Sequence, residues 1–140
     1  MTKYLIDTDI CIFFLKKQFH IDEKIEAVGP ANCFVSELSV AELIFGAHNS
    51  GNLEKHKDDH VKVLSVTSIK RVLHSFDAYG KEKARLRKAG HLIPELDLLI
   101  ATTAVHHNMT LVTNNTKHMN RIEGIQLENW TQAKDNEFIE

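Results

Sequence analysis

Short apolar runs alternate along this chain with longer stretches in which apolar residues recur at intervals of three and four. The first pattern is typical of buried strands and the second of amphipathic helices. We therefore predict five strands, at residues 4–6, 33–35, 63–66, 110–113 and 125–127.

Helices are expected between these strands, and several carry start or stop signals. Ser68 is a candidate N-cap for a long helix that ends before Gly90, and Pro94 is suited to the first turn of another that ends near residue 107. Further helices are predicted at residues 10–17, 40–49 and 52–60. Strands that alternate with helices predict an α/β fold, a parallel sheet with helices on both faces.

The length of 140 residues fits one domain, which we place at residues 1–130, with a frayed tail at residues 131–140. A net charge of -2 excludes a strongly basic nucleic-acid coat protein, although it leaves room for an enzyme that acts on RNA. No apolar run approaches the ~20 residues of a membrane helix, and the start of the chain does not resemble a secretory signal. We expect a cytoplasmic protein that does not associate with membranes.

Three acidic residues lie near helix starts, which in a parallel sheet fall close to the functional edge. Asp7 follows the first strand, Glu42 lies near the start of the helix 40–49, and Asp97 lies in the first turn after Pro94. Each has a structural alternative that the sequence leaves open. Asp is a common N-cap, Ser39 and Glu42 have capping-box spacing, and a first-turn acid is favoured by the helix dipole.

Taken together, the three acids favour a metal site. The apolar run that follows Asp97, residues 98–100, should draw that carboxylate into the core, where an unpaired charge is costly. Three carboxylates at one sheet edge would also repel one another. Mg²⁺ or Mn²⁺ would relieve this repulsion, because both ions prefer carboxylate oxygens and water.

Five segments, in order, resemble PIN-domain ribonucleases of the VapC toxin type. The resemblance covers about residues 3–130, and its segments are LIDTDICI at 5–12, SVAELIFGA at 39–47, DLLIA at 97–101, LVTNN at 111–115 and ENW at 128–130. It implies a five-stranded parallel sheet and an endoribonuclease that depends on Mg²⁺ or Mn²⁺. It also implies the toxin of a type II toxin–antitoxin pair, inhibited by a small cognate antitoxin protein and usually homodimeric.

By position, the resemblance implies that Asp7 and Asp97 are metal ligands and that Glu42 is a ligand or orients water. Thr113 and Asn115 match further polar site residues. The chain departs from the family pattern at Asp9, where Asn is usual, and at Asn115, where many members have an acid. His118 and Met119 replace an acid and an aromatic residue, which predicts a different substrate loop.

The predicted helix that ends before Gly90 carries seven basic and two acidic residues between positions 69 and 89. Such an excess of positive charge could contact RNA phosphates, or it could simply be a solvated helix face. Arg85 and Arg87 are the preferred RNA-binding candidates because they are nearest in sequence to the Asp97 segment.

Two other functions remain open at this point. Asp7 and Asp9 after a strand also resemble the D-x-D motif of haloacid-dehalogenase-type phosphatases, in which Asp7 would be the nucleophile and Asp9 the acid/base. A PIN-like domain with a weak metal site could instead act mainly as a binding module.

Overall fold

The computed structural model describes residues 1–132, and residues 133–140 lie outside the described part. Five parallel strands form one sheet in the order β3-β2-β1-β4-β5. The strands are β1 (Tyr4–Ile6), β2 (Cys33–Ser36), β3 (Ser68–Lys70), β4 (Thr110–Val112) and β5 (Gln126–Glu128). The predicted five-stranded parallel sheet is confirmed.

Helices connect every pair of consecutive strands within this part of the chain. They are α1 (Thr8–Leu15), α2 (Ile21–Val28), α3 (Glu37–Asn49), α4 (Leu53–His56), α5 (Asp59–Leu64), α6 (Phe76–Ala89), α7 (Glu95–His106) and α8 (Thr116–Met119). Short 3-10 turns lie at Pro30–Asn32 and Leu73–Ser75. Within residues 1–132, no helix combines the length and the apolar character needed to cross a membrane.

The central strand β1 contributes to a separate hydrophobic core on each face of the sheet, because successive strand residues point to opposite faces. Leu5 belongs to a core that includes Leu86 of α6 and Leu98 of α7. Ile6 belongs to a second core that includes Ile10 of α1 and Leu43 of α3. Burying each such side chain stabilises the fold by roughly 1.5–3 kcal/mol. Helices therefore cover both faces, as predicted.

The strand predicted at residues 63–66 is wrong. Val63 and Leu64 are the last residues of α5. Val63 is buried and Leu64 half-buried as part of that helix, not of a strand. The third strand is Ser68–Lys70, which pairs with β2 alone at the edge of the sheet. Two of its three residues are exposed, so it lacks the apolar run by which strands were recognised.

Other boundaries differ from the predictions as well. Ser68 begins no helix, and the long helix that it was expected to cap, α6, starts only at Phe76. Helices α2 and α8 were not predicted. The predicted frayed tail falls mostly outside the described residues, but Thr131 donates a hydrogen bond to Asn129 Oδ1 and lies against the loop after β4.

The connections of the sheet determine where a functional site can form. From β1 the chain proceeds to β2 and β3 on one side, whereas β4 and β5 lie on the other side. This reversal opens a crevice between the carboxyl ends of β1 and β4, the usual ligand position in open α/β sheets. Asp7 follows β1 and Thr113 follows β4 at this crevice.

Candidate active site

Asp7 is held at the end of β1 by three hydrogen bonds. Its backbone N–H donates to Val112 O on β4 at 2.9 Å, and its Oδ1 accepts the Thr8 N–H at 2.8 Å as the N-cap of α1. Its Oδ2 accepts the Thr113 hydroxyl at 2.8 Å. The N-cap role is therefore real, but the second oxygen faces the crevice between the two strands.

The Asp7 carboxylate lies in an electrostatically unfavourable position. Only 5% of the residue is exposed. Burial, followed by repulsion from Asp9, raises the pKa of Asp7 to about 7, and Asp97 adds to the rise. The hydrogen bonds from Thr113 and Thr8 oppose the rise without cancelling it. These hydrogen bonds stabilise the charged carboxylate only in part, and a cation bound beside Asp7 would stabilise it further.

Asp97 lies in the first turn of α7, on the other side of the crevice. Its Oδ2 accepts a hydrogen bond from Asn115 Nδ2 at 3.3 Å. Burial raises the pKa of the Asp97 carboxyl, whereas the nearby His118 lowers it. The expectation that Asp97 is drawn into the core is wrong, because Leu98 and Ile100 are fully buried while Asp97 is only half-buried at the sheet edge.

Glu42 is not part of a capping box, contrary to the alternative that the sequence left open. The N-cap of α3 is Ser36, whose Oγ accepts the Leu38 N–H at 3.1 Å. Glu42 therefore lies in the second turn, where its Oε1 accepts the Thr8 hydroxyl at 2.7 Å. Ser39 Oγ lies 2.9 Å from the same hydroxyl. Because Thr8 directly follows Asp7 in the chain, this contact brings Glu42 of α3 close to the start of α1.

Thr8 and Ser39 were missed as site residues by the sequence analysis. Their positions carried a usable signal, since Thr8 is adjacent to Asp7 and Ser39 lies one helical turn before Glu42. Residues three apart on a helix share a face, so Ser39 and Glu42 reach the same neighbour. The sequence marked His118 only as a difference in the substrate loop. In the structure, His118 Nδ1 lies 3.4 Å from Asn115 Nδ2.

The predicted auxiliary residues connect the two principal acids. Thr113 Oγ1 donates to Asp7 and accepts the Asn115 N–H at 3.0 Å, while the Asn115 side chain contacts Asp97. Asp9 accepts the N–H groups of Ile10 at 2.7 Å and of Asn114 at 3.0 Å. Asp9 therefore holds the loop after β4 against α1.

The donor set suits a hard divalent cation that retains much of its water. Among residues 1–132, no three His, Cys, Asp or Glu side chains already lie in the arrangement of a preformed metal site. Mg²⁺ commonly takes only one or two protein carboxylates and keeps several waters, so a full protein cage is not required. Asp9 and, to a smaller extent, Asp97 repel the buried Asp7 carboxylate, so a cation bound beside these acids would relieve that repulsion.

Arg85 and Arg87 have different surroundings on α6. Arg85 donates to Glu82 through Nε and Nη2, both at 2.7 Å, and through Nη2 to Arg121 O at 2.8 Å. This arrangement conflicts with the predicted RNA contact through Arg85, because its guanidinium already stabilises the fold. Arg87 is exposed and lies on a different face of the helix, with Gly80.

A comparison with protein families connects this geometry to known proteins. The model of the PIN domain family matches residues 4–125, which include all the acids described above. The chain belongs to the PIN domain family. This membership opposes the phosphatase alternative, in which Asp7 and Asp9 would form a nucleophile and acid/base pair.

Curated relatives in this PIN family share most of their length with the chain. It is 34% identical to Ribonuclease VapC2 of Rickettsia felis over 136 residues, which cover 91% of this chain and 97% of that protein. It is 31% identical to the tRNA(fMet)-specific endonuclease VapC of Salmonella typhimurium, and this alignment covers 93% of this chain and 99% of that protein. The crystal structure of Rickettsia felis VapBC2 bound to a promoter DNA fragment aligns with a TM-score of 0.86 at 32% identity. This alignment covers 92% of this chain and 99% of the chain in that structure.

Proposed function

We propose that this chain is a metal-dependent endoribonuclease and the toxin of a toxin–antitoxin pair. The observation that carries the proposal is the buried Asp7 carboxylate, with its pKa raised to about 7, facing Asp97 at the crevice of a PIN fold. Similarity to ribonucleases named VapC supports RNA as the substrate. Such an enzyme would act on RNA in the cytoplasm.

Each acid has a distinct role in this proposal. Asp7 and Asp97 would hold Mg²⁺ or Mn²⁺, and Glu42 would orient the attacking water or accept its proton. When bound, the ion supplies Lewis acidity that offsets phosphate charge and makes water a better nucleophile. The Thr8 hydroxyl donates to the Glu42 carboxylate and the Asn115 side chain donates to Asp97, so each would restrain the acid that it contacts.

The products follow from the residues that surround the crevice. Carboxylates, hydroxyls and amides dominate it, and water is the proposed nucleophile. Hydrolysis would therefore leave a 5′-phosphate and would not need the RNA 2′-hydroxyl. Products that end in 2′,3′-cyclic phosphate would contradict this scheme.

The proposed protein partner is a small VapB-like antitoxin, in keeping with the VapBC complexes among the similar structures. A groove of about 550 Å³ begins at Glu42 and continues between α1, α3 and the α4–α5 segment. Its lining combines apolar residues such as Ile12 and Leu43 with Lys16 and Lys55. A segment of antitoxin bound there would reach the acids and block them. We also expect a homodimer, as the family resemblance implies.

Growth arrest on induction tests the proposed toxicity in cells. We expect the wild type and the control Asp22→Asn, an exposed acid in the first turn of α2, to arrest growth. Asp7→Asn and Asp97→Asn should permit growth at equal protein levels. A chain that binds its antitoxin but never arrests growth or cuts RNA would instead favour the binding-module alternative.

A further inference from the structure

One face of α6 forms a groove that the proposed catalytic site does not use. The groove has a volume of about 610 Å³ and is lined by Gly80, Lys83, Ala84, Arg87 and Lys88. Residues three and four apart lie on one face of a helix, so the two small residues form the floor and the three cations surround it. Arg85 and Lys81, on the same helix, do not line the groove.

Gly80 has no packing function that would explain its presence. A Cβ added at this position would meet no atom within 4 Å. Glycine inside a helix costs roughly 0.5–1 kcal/mol relative to alanine. The missing side chain leaves the floor of the groove open, which is what a bound strand would require.

The cations of the groove are available for an anionic ligand. Within the described part of the chain, neither Arg87 nor Lys88 is paired with an acid, and both are exposed. Lys83 Nζ lies 2.9 Å from Glu95 Oε1, and the Tyr79 hydroxyl also donates to that carboxylate. The Lys83–Glu95 pair is partly exposed, so its net contribution to stability is small and a phosphate could replace Glu95.

An ion pair links the groove to the first turn of α7, which also carries Asp97. Glu95 is the first residue of α7, and Asp97 follows two positions later in the same turn. The contact between Lys83 and Glu95 therefore connects the cationic face of α6 to the rim of the proposed metal site. A strand whose scissile phosphate lies at Asp97 would find this face beside it.

We propose that this face of α6 binds the sugar–phosphate backbone of the RNA strand outside the scissile position. The inference rests on the proposed ribonuclease function and assigns Lys83, Arg87 and Lys88 as its phosphate contacts. Cations on a small-residue floor, with no aromatic platform among the lining residues, favour binding that is independent of base sequence. An acidic protein segment is the competing occupant, but the link through Lys83 and Glu95 to the turn that carries Asp97 favours RNA.

Fluorescence anisotropy tests the groove directly. The probe is a 5′-fluorescein-labelled, mixed-sequence single-stranded RNA of 20 nucleotides, kept in EDTA and checked for integrity on a gel. The variant Arg87→Gln/Lys88→Gln is compared with Lys57→Gln/Lys81→Gln, which removes the same charge from exposed residues outside the groove. Circular dichroism melts confirm that both variants fold.

We expect the groove variant to bind this RNA at least several-fold more weakly than the control. The slope of log affinity against log salt should become shallower by about 1.4, because each lost single-strand phosphate contact contributes about 0.7. Gly80→Leu adds no charge and its Cβ would meet no atom within 4 Å, yet its side chain should also weaken binding by filling the floor.

Equal affinities and equal salt slopes for the two double variants would overturn the proposal. So would a groove variant that keeps its RNA affinity but no longer binds its antitoxin, since the face would then bind protein. The ribonuclease proposal is tested separately by metal-dependent cleavage with the wild type. A chain that shows the predicted groove effect but never cleaves RNA would refute the enzyme and leave the RNA-binding face intact.

Discussion

At the scale of single residues, Thr8 connects the proposed catalytic acids more directly than any feature predicted from the sequence. Its N–H donates to Asp7, and its hydroxyl contacts both Glu42 and Ser39. One residue thereby fixes the start of α1 and the orientation of an acid on α3. Its role is positioning, because it acts through Glu42.

Thr8→Val should lower kcat about ten-fold and change KM little. The valine keeps the side-chain shape but leaves the Glu42 carboxylate without its hydroxyl donor. A hydrogen bond to a charged group contributes about 1.5–3 kcal/mol, and 1.4 kcal/mol corresponds to ten-fold in rate. Steady-state cleavage of a labelled RNA with Mn²⁺ measures the effect.

Two controls accompany this variant. Thr8→Ser retains the hydroxyl and should recover most of the rate. Thr67→Val removes a hydroxyl that bonds to Val63 O, outside the acidic crevice, and should leave kcat unchanged. A Thr8→Val enzyme with wild-type kcat would show that Glu42 needs no positioning by this hydroxyl.

The sequence placed the acids better than it explained them. Asp7 and Asp97 could be found because each directly follows a recognisable strand end or helix start. Glu42 was harder, because Ser36 and Ser39 both precede it at multiples of three residues, and only the structure shows which serine is the N-cap. The hydroxyl contact between Thr8 and Glu42 joins residues 34 positions apart, so no local pattern could predict it.

At the scale of elements, α6 is attached to the segment before β5 by a buried acid. Glu82 is only 8% exposed, and its carboxylate accepts two hydrogen bonds from Arg85 and one from the Glu123 N–H at 2.7 Å. The hydrogen bonds from Arg85 hold the pKa of Glu82 below its usual value. This contact supports the fold on the side of α6 away from the groove.

Glu82→Ala should destabilise the protein by about 1–3 kcal/mol, since a buried N–H and a guanidinium lose their acceptor. The cost should shrink at acidic pH, because a lowered pKa contributes stability only above the range in which Glu82 protonates. Urea denaturation at pH 7 and pH 3.5 measures both effects. Lys81→Gln on the same helix should change stability by less than ~0.5 kcal/mol, and equal losses for the two variants would contradict the assignment.

The sequence predicted the central elements well and the edge of the sheet poorly. Strands β1, β2 and β4 have buried apolar residues, which is the signal that strand prediction relies on. β3 is an exposed edge strand, and the apolar Val63 next to it belongs to α5. Local composition cannot distinguish an apolar helix end from a short strand when both are buried.

At the scale of the whole molecule, the buried charge of Asp7 couples stability to pH. With its pKa raised to about 7, Asp7 keeps its proton in the folded state up to about pH 7, whereas the unfolded chain releases it near the ordinary aspartate pKa of 3.8. Stability from this group is therefore fully present at low pH and is lost as the pH rises through 7. The fold thus tolerates an ionised Asp7 poorly unless a cation accompanies it.

Without metal, the stability difference between the wild type and Asp7→Asn should change with pH. We expect the wild type to lose on the order of 2 kcal/mol relative to the variant between pH 5 and pH 8, since only the wild type must ionise a buried acid. Urea denaturation in EDTA at both pH values measures this change. A difference that is independent of pH would show that Asp7 is already ionised at pH 5.

Divalent metal should reverse this trend at pH 8. An ion that binds only the folded state stabilises it by about 2.7 kcal/mol at a concentration of 100 times its Kd. Mg²⁺ or Mn²⁺ should therefore raise the Tm of the wild type and of Asp22→Asn, and should have little effect on Asp7→Asn or Asp97→Asn. An equal rise in all four proteins would place the ion elsewhere.

Cleavage of RNA by the purified chain tests the central claim most directly. Wild-type protein, Asp7→Asn and Asp97→Asn are each incubated with total bacterial RNA in Mn²⁺ or in EDTA, and the new ends are mapped. We predict discrete cuts with 5′-phosphate ends only for the wild type with Mn²⁺, and a loss of about a hundred-fold or more in each variant, equivalent to ~3 kcal/mol. Undiminished cleavage by both variants, or by the wild type in EDTA, would contradict the assignment of Asp7 and Asp97 to a catalytic metal site.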